Sequence, residues 1–157
     1  MSGLIITARC AAVPSNWRDE LTRMLGARPR RIGPWAELAL YGALRCMADA
    51  GEATLPADAV LIMASRRGTH AATAQALAQM ADDLPMPLAF LQTQPSQVLA
   101  LLAQQLGWQG NAIFLAGADS SRAQSLAESL AVRGGALVGR VDDGGRQESE
   151  WLRLCRR

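Results

Sequence analysis

The chain has 157 residues, half of them hydrophobic, with 16 basic against 14 acidic side chains and a formal charge of +2. That length can bury a sizeable core, the weak charge gives no argument for nucleic-acid binding, and no run approaches the ~18 apolar residues of a membrane span. All 16 basic residues are Arg, which excludes Schiff-base chemistry, pyridoxal phosphate attachment and a P-loop Lys, and a lone histidine, His70, excludes a multi-histidine metal site.

Apolar residues 4–13 read as a first strand. Arg9 interrupts it and no basic leader precedes it, so a signal peptide is not expected. Cys10, Cys46 and Cys155 are far apart, odd in number and without metal or redox spacing, so reduced, buried thiols in a cytoplasmic protein are expected. Pro14-Ser15-Asn16 breaks the strand before a short helix over 17–25. Residues 26–33, with Arg28, Arg30 and Arg31 around Pro29, read as an exposed basic loop. Pro34 suits a first helical position, and Leu40, Ala43, Leu44 and Met47 form a helical stripe that Gly51 stops.

Residues 59–64 form a short apolar run between turn signals, a buried strand. Residues 69–81 are Ala-rich and helical, and 82–94, containing Pro85 and Pro87, are irregular. Ser96 can cap the next helix, whose stripe is Leu99, Leu102, Ala103 and Leu106, with Gly107 as its stop. Residues 112–116 are another buried strand. Asp119 or Ser120 caps a helix with Ala123, Leu126, Ala127 and Leu130 on one face. Gly134-Gly135 ends it, 136–141 is a strand, 142–145 a turn, and 149–155 an antiparallel closing strand. Strands alternating with helices predict an α/β fold: a five-stranded, mixed, mostly parallel sheet with helices on both faces. No linker or repeat divides residues 1–157, which read as one domain.

Several local sequences resemble the N-terminal half of β-ketoacyl synthases. Residues 31–51, from Arg-Ile-Gly-Pro-Trp to Ala-Asp-Ala-Gly, resemble that family's first long helix and its stop. Residues 90–110 resemble its Thr-x-Pro-x segment, helix and Leu-Gly-x-x-Gly turn, and Val138-Gly139-Arg140-Val141 resembles a later strand. Together these cover most of the chain and imply one half of a thiolase-like fold, degenerate in catalysis and similar to a chain-length factor. In the family, the strand after the Leu-Gly-x-x-Gly turn delivers a cysteine to a helix N-terminus, where amides and the helix dipole favour thiolate. A gapless count from Gly107 puts Asp119 there, followed by Ser120 and Ser121, and residues 111–133 hold no cysteine. The two histidines that the family draws from its C-terminal half have no counterpart either. The resemblance therefore implies no condensing activity by this chain alone.

The resemblance further implies a partner, either a ketosynthase subunit or a second copy. Ile113, Phe114, Leu115, Ala123 and Leu126 are the candidate subunit interface. Arg28, Arg30, Arg31, Arg66 and Arg67 are candidate contacts for an acidic acyl carrier protein, with solvated arginines as the plain alternative. Asp119 has a plain reading as a helix cap and a sharper one as an active-site remnant facing an acyl pocket. A small acyl-thioester-acting enzyme using Asp119, Ser120 or His70 is an alternative function, and a carrier-protein-binding module is another. Ser120 would need a base, and no Gly-x-Ser-x-Gly elbow exists. His70 reads as a surface residue or, with Arg66 and Arg67, as an anion contact. Gly134-Gly135 and Gly144-Gly145 do not make a dinucleotide fingerprint, so no cofactor, metal or nucleic-acid partner is expected.

Overall fold

The computed structural model describes residues 3–84 and 86–157. Pro85, read above within an irregular stretch, lies outside the described residues. The elements run β1 (Leu4–Cys10), α1 (Trp17–Leu25), α2 (Pro34–Asp49), β2 (Val60–Ser65), α3 (His70–Ala81), α4 (Pro87–Leu91), α5 (Pro95–Gln105), β3 (Ala112–Ala116), α6 (Ser120–Leu130), β4 (Ala136–Asp142) and β5 (Glu148–Arg156). The strands form one sheet in the order β1-β5-β4-β2-β3. β2 pairs parallel with β3 and β4, while β5 runs antiparallel to both β4 and β1. The mixed, helix-covered α/β sheet expected from the sequence is thus the observed one.

Several bounds differ from expectation: β1 ends at Cys10, short of residue 13, β2 and α3 each begin one residue later, β5 begins one residue earlier, and α6 ends at Leu130, ahead of Gly134-Gly135. α5 begins at Pro95 with Gln94 at its N-cap, not at Ser96, because proline's fixed φ and missing N–H suit the first helical position. The stretch after residue 82 contains the short helix α4, which also begins on a proline.

Alternation along the strands sends residues to two cores. Leu61, Met63, Leu137, Val141 and Trp151 face α1, α2 and α5. Val60, Ile62, Ala136, Val138 and Leu152 face α6, which presents Ala123 and Ala127. β2 is buried along its whole length, as a central parallel strand must be. Of the 16 residues of α2, 11 are buried, and full burial of each large apolar side chain contributes about 1.5–3 kcal/mol. Trp151 explains how α2 comes so close. Its indole is fully buried between Gly42 of α2 and Gly139 of β4, and a Cβ at either glycine would collide with it. Its Nε1–H donates to Ser149 Oγ, which in turn donates to the Leu38 carbonyl. All four tryptophans, Trp17, Trp35, Trp108 and Trp151, are at most 3% exposed.

At the opposite end, Arg153 of β5 is 1% exposed. It holds Glu52 through two donated bonds, Nε to Oε2 and Nη2 to Oε1 at 3.0 Å, and Nη1 donates to the Ala136 and Leu154 carbonyls. A buried guanidinium requires this full set of acceptors. The pair ties the loop after α2 to the β4–β5 ribbon.

Candidate functional site

The carboxyl ends of β2, β3 and β4 point the same way, so the turns that follow them gather at one edge of the sheet, the usual location of ligand sites in parallel α/β folds. Asp142, the last residue of β4, organises this edge. Its Oδ1 accepts from the Ser65 hydroxyl at 2.8 Å and from the backbone N–H groups of Arg66 and Arg67 at 2.9 and 3.3 Å. Its Oδ2 accepts from Arg140, which also pairs with Glu148 at 2.7 Å. Ser65 and Asp142 are both buried, so this network fixes the path from β2 into α3. Nothing in the sequence singled it out. The available signal was a small polar residue ending β2 and a carboxylate ending its neighbour β4.

Asp119 is the N-cap of α6 in extended backbone conformation. Its Oδ1 accepts from the Ser121 hydroxyl at 2.8 Å and the Arg122 N–H at 3.2 Å. The Ser121 bond and then the Arg122 amide hold its carboxyl below the usual carboxylate range. Ser120 is the first helical residue. Among the described residues no hydrogen bond joins its hydroxyl to a base, and His70 begins a different helix, α3. The three cysteines lie on β1, α2 and β5, away from the β3–α6 turn. Burial raises the Cys10 thiol and pushes the Cys46 thiol up to about 12, which keeps both protonated and poor as nucleophiles.

The five candidate arginines are all exposed, and among the described residues none forms an ion pair. The fold brings their two loops to the same edge. Arg67 lies over Gly144 of the β4–β5 turn, and Arg31 shares a cleft with Thr69 and Asp143. Arg28 and Arg30 stand outside that cleft. The cleft measures about 130 Å³ and is floored by Trp35, Ala36, Val98 and Leu101, with Gln94 and Gln97 beside it. Trp35 is fixed by a 2.9 Å bond from its Nε1–H to the Val141 carbonyl. Partial burial raises the Asp143 carboxyl above its ordinary value, aided by the neighbouring Asp142 charge and opposed by His70.

The candidate interface residues divide. β3 pairs only with β2 and closes the sheet on that side, so its outer backbone groups have no strand partner among the described residues. Ile113 and Leu115 pack half-buried on the α6 side, and Phe114 stands edge-on to Trp35 at 5.8 Å. Leu126 is half-buried against the same core as Ile113. Ala123 is fully buried on the sheet-facing side of α6, where it packs against the sheet. The outward face of α6 is polar, with Ser121, Arg122, Ser125, Glu128 and Ser129 exposed.

The large apolar surface lies elsewhere. α3 and α4 bury no residue, and Leu77, Met80, Leu84, Met86 and Phe90 are each 56–63% exposed. Met80, Met86, Pro87 and Phe90 line an apolar groove of about 470 Å³ between the two helices. Thr69 donates its hydroxyl to the Thr93 carbonyl and ties the start of α3 to the segment beyond α4. The spacing of Leu77, Met80 and Leu84 was a readable helical stripe, but nothing local says that the stripe faces outward.

No protein-family model and no curated protein sequence matches the chain. Solved structures do. A ketosynthase in complex with its chain length factor from Xenorhabdus doucetiae aligns with a TM-score of 0.68 and 16% identity, over 98% of this chain and 79% of that one. The ishigamide ketosynthase/chain length factor aligns with a TM-score of 0.74 and 14% identity, over 97% of this chain and 61% of the other. A type II PKS acyl-carrier protein in complex with its ketosynthase bound to the hexaketide gives 0.70 and 11%, over 100% of this chain and 64% of the other. The chain therefore spans less than two thirds of the length of two of these three structures. It has the thiolase-like α/β fold of ketosynthases and chain length factors.

Proposed function

We propose that this chain is a non-catalytic ketosynthase-like subunit of fatty acid or polyketide synthesis, which pairs with an active ketosynthase or with a second copy of itself. The observation that carries this reading is the apolar α3–α4 surface together with the open edge of β3. A monomer gains nothing by exposing clustered Leu, Met and Phe side chains, whereas a covering chain would remove them from water. The groove between α3 and α4 has the lining of one wall of an acyl cavity. The turn that would carry a nucleophile carries instead a carboxylate engaged in capping, which supports a pairing role over a catalytic one. Arg31, Arg66 and Arg67, free of ion pairs among the described residues, fit docking of an acidic acyl carrier protein. The reading treats residues 1–157 as one unit in a cytoplasmic setting, since reduced thiols suit that compartment.

Size-exclusion chromatography with light scattering tests it, on the chain alone and mixed with the ketosynthase encoded nearest its gene. The expected result is a dimer or a stoichiometric complex that Leu77→Ser/Met80→Ser disperses. A chain that stays monomeric and ignores the ketosynthase overturns the pairing. Turnover of an acyl thioester that Asp119→Ala or Ser120→Ala abolishes would overturn the non-catalytic part.

A further inference from the structure

We propose that the cleft between the starts of α2, α3 and α5 binds a small monocarboxylate with a short aliphatic or aryl body. The site lies apart from the β3–α6 turn and meets the pairing groove only at Leu91, which lines both. Its floor comes from α2 and α5, which pack on the face of the sheet opposite α6.

Size, polarity and charge all bear on the ligand. The cleft holds about 130 Å³, close to the ~150 Å³ cavity that takes a benzene-sized guest. Trp35, Ala36, Val98 and Leu101 offer an apolar bed, so the body of the ligand is hydrocarbon. Arg31 supplies the cation at the mouth, and among the described residues no carboxylate neutralises it. The N-caps of α2, α3 and α5, namely Gly33, Thr69 and Gln94, all line the cleft, and none makes a side-chain capping bond. Their dipoles add to the field of Arg31 and favour a negative head group. Asp143 works in the opposite direction. It lines the same cleft and, among the described residues, forms no ion pair with Arg31, so a second negative charge on the ligand would be repelled. That arrangement selects a monoanion over a dianion of the same length.

The test uses the intact, isotopically labelled chain and follows backbone amide shifts during titration with hexanoate, benzoate, adipate and 1-hexanol. Hexanoate or benzoate should shift the amides of residues 31–33, 35–36, 94 and 96–101 in a saturable way. Adipate and 1-hexanol should bind at least about tenfold more weakly, a difference of ~1.4 kcal/mol. Arg31→Asn, which tolerates the left-handed backbone at φ 62, should lose about tenfold in hexanoate affinity. Gln97→Glu should weaken it comparably by placing a like charge at the exposed rim. Asp143→Asn should bring adipate close to hexanoate. The proposal fails if 1-hexanol binds as tightly as hexanoate, if Arg31→Asn and Gln97→Glu leave affinity unchanged, if the shifts map to Met80 and Phe90 instead, or if nothing saturates. None of these outcomes bears on the light-scattering result, so the two readings stand or fall separately.

Discussion

Helices α2 and α3 are built from much the same residues and meet opposite fates. Both are rich in Ala and Leu, yet α2 buries 11 of its 16 residues and α3 none of its 12. The difference lies in what each can reach. α2 lies against the sheet because Gly42 lets it close on Trp151, and α1 and α5 flank it. Among the described residues α3 makes its main contact with α4, itself without a buried residue, so the pair has no core of its own. Burial is decided by tertiary neighbours rather than by propensity or apolar content. A helix whose apolar stripe finds no neighbour within the chain is material for a neighbour outside it.

The contrast can be broken at its strongest point first. Trp151→Ala removes the side chain that joins α2 to β4, and a loss of about 3–5 kcal/mol is expected in urea unfolding. A loss below ~1 kcal/mol would mean that α2 is not held by this contact. Leu77→Ser/Met80→Ser in α3 should change the stability of the monomer by less than about 0.5 kcal/mol, since neither side chain is buried. A large loss there would show that α3 contributes to the intrachain core and would remove the argument for a covering partner.

The smallest effect concerns the cleft. The Asp143 carboxyl is raised in the folded state by partial burial, so its ionisation opposes folding from the unfolded carboxylate value upward and does so fully above its folded value. Below the unfolded carboxylate value both states hold the proton and nothing is lost. Asp143→Asn should therefore stabilise the protein by only a few tenths of a kcal/mol near pH 7, because solvent screens a partly exposed group, and by nothing near pH 3. Melting curves at the two pH values check this. A gain that is equal at both would assign the effect to packing rather than to charge.

Much of the architecture was legible because hydrophobic runs and turn residues are local signals. The strand over 112–116 matches to the residue, and Gly51 and Gly107 adopt the left-handed conformation their stop positions imply, whereas α6 ends at Leu130, ahead of the Gly134-Gly135 stop expected for it. Asp119 is the helix cap its position predicted. What escaped was set by pairings distant in sequence. The Glu52–Arg153 pair spans 101 residues and the Ser65–Asp142 bond 77, and no window of sequence contains either. The same limit applies to direction. Ala123 and Leu77 both sit on apolar helical stripes, and only the sheet beneath α6 and the open side of α3 decide that one is hidden and the other bare.

The complete burial of the tryptophans determines what light can report about this protein. With no indole at the surface, intrinsic emission is a property of the interior, blue-shifted and shielded from dissolved quenchers. A partner settling on α3 and α4 would pass almost unseen in that signal, because neither helix carries a tryptophan. A guest in the cleft would rest against Trp35 and change it directly. The molecule thus carries an optical probe that can separate events at its two candidate surfaces without any label.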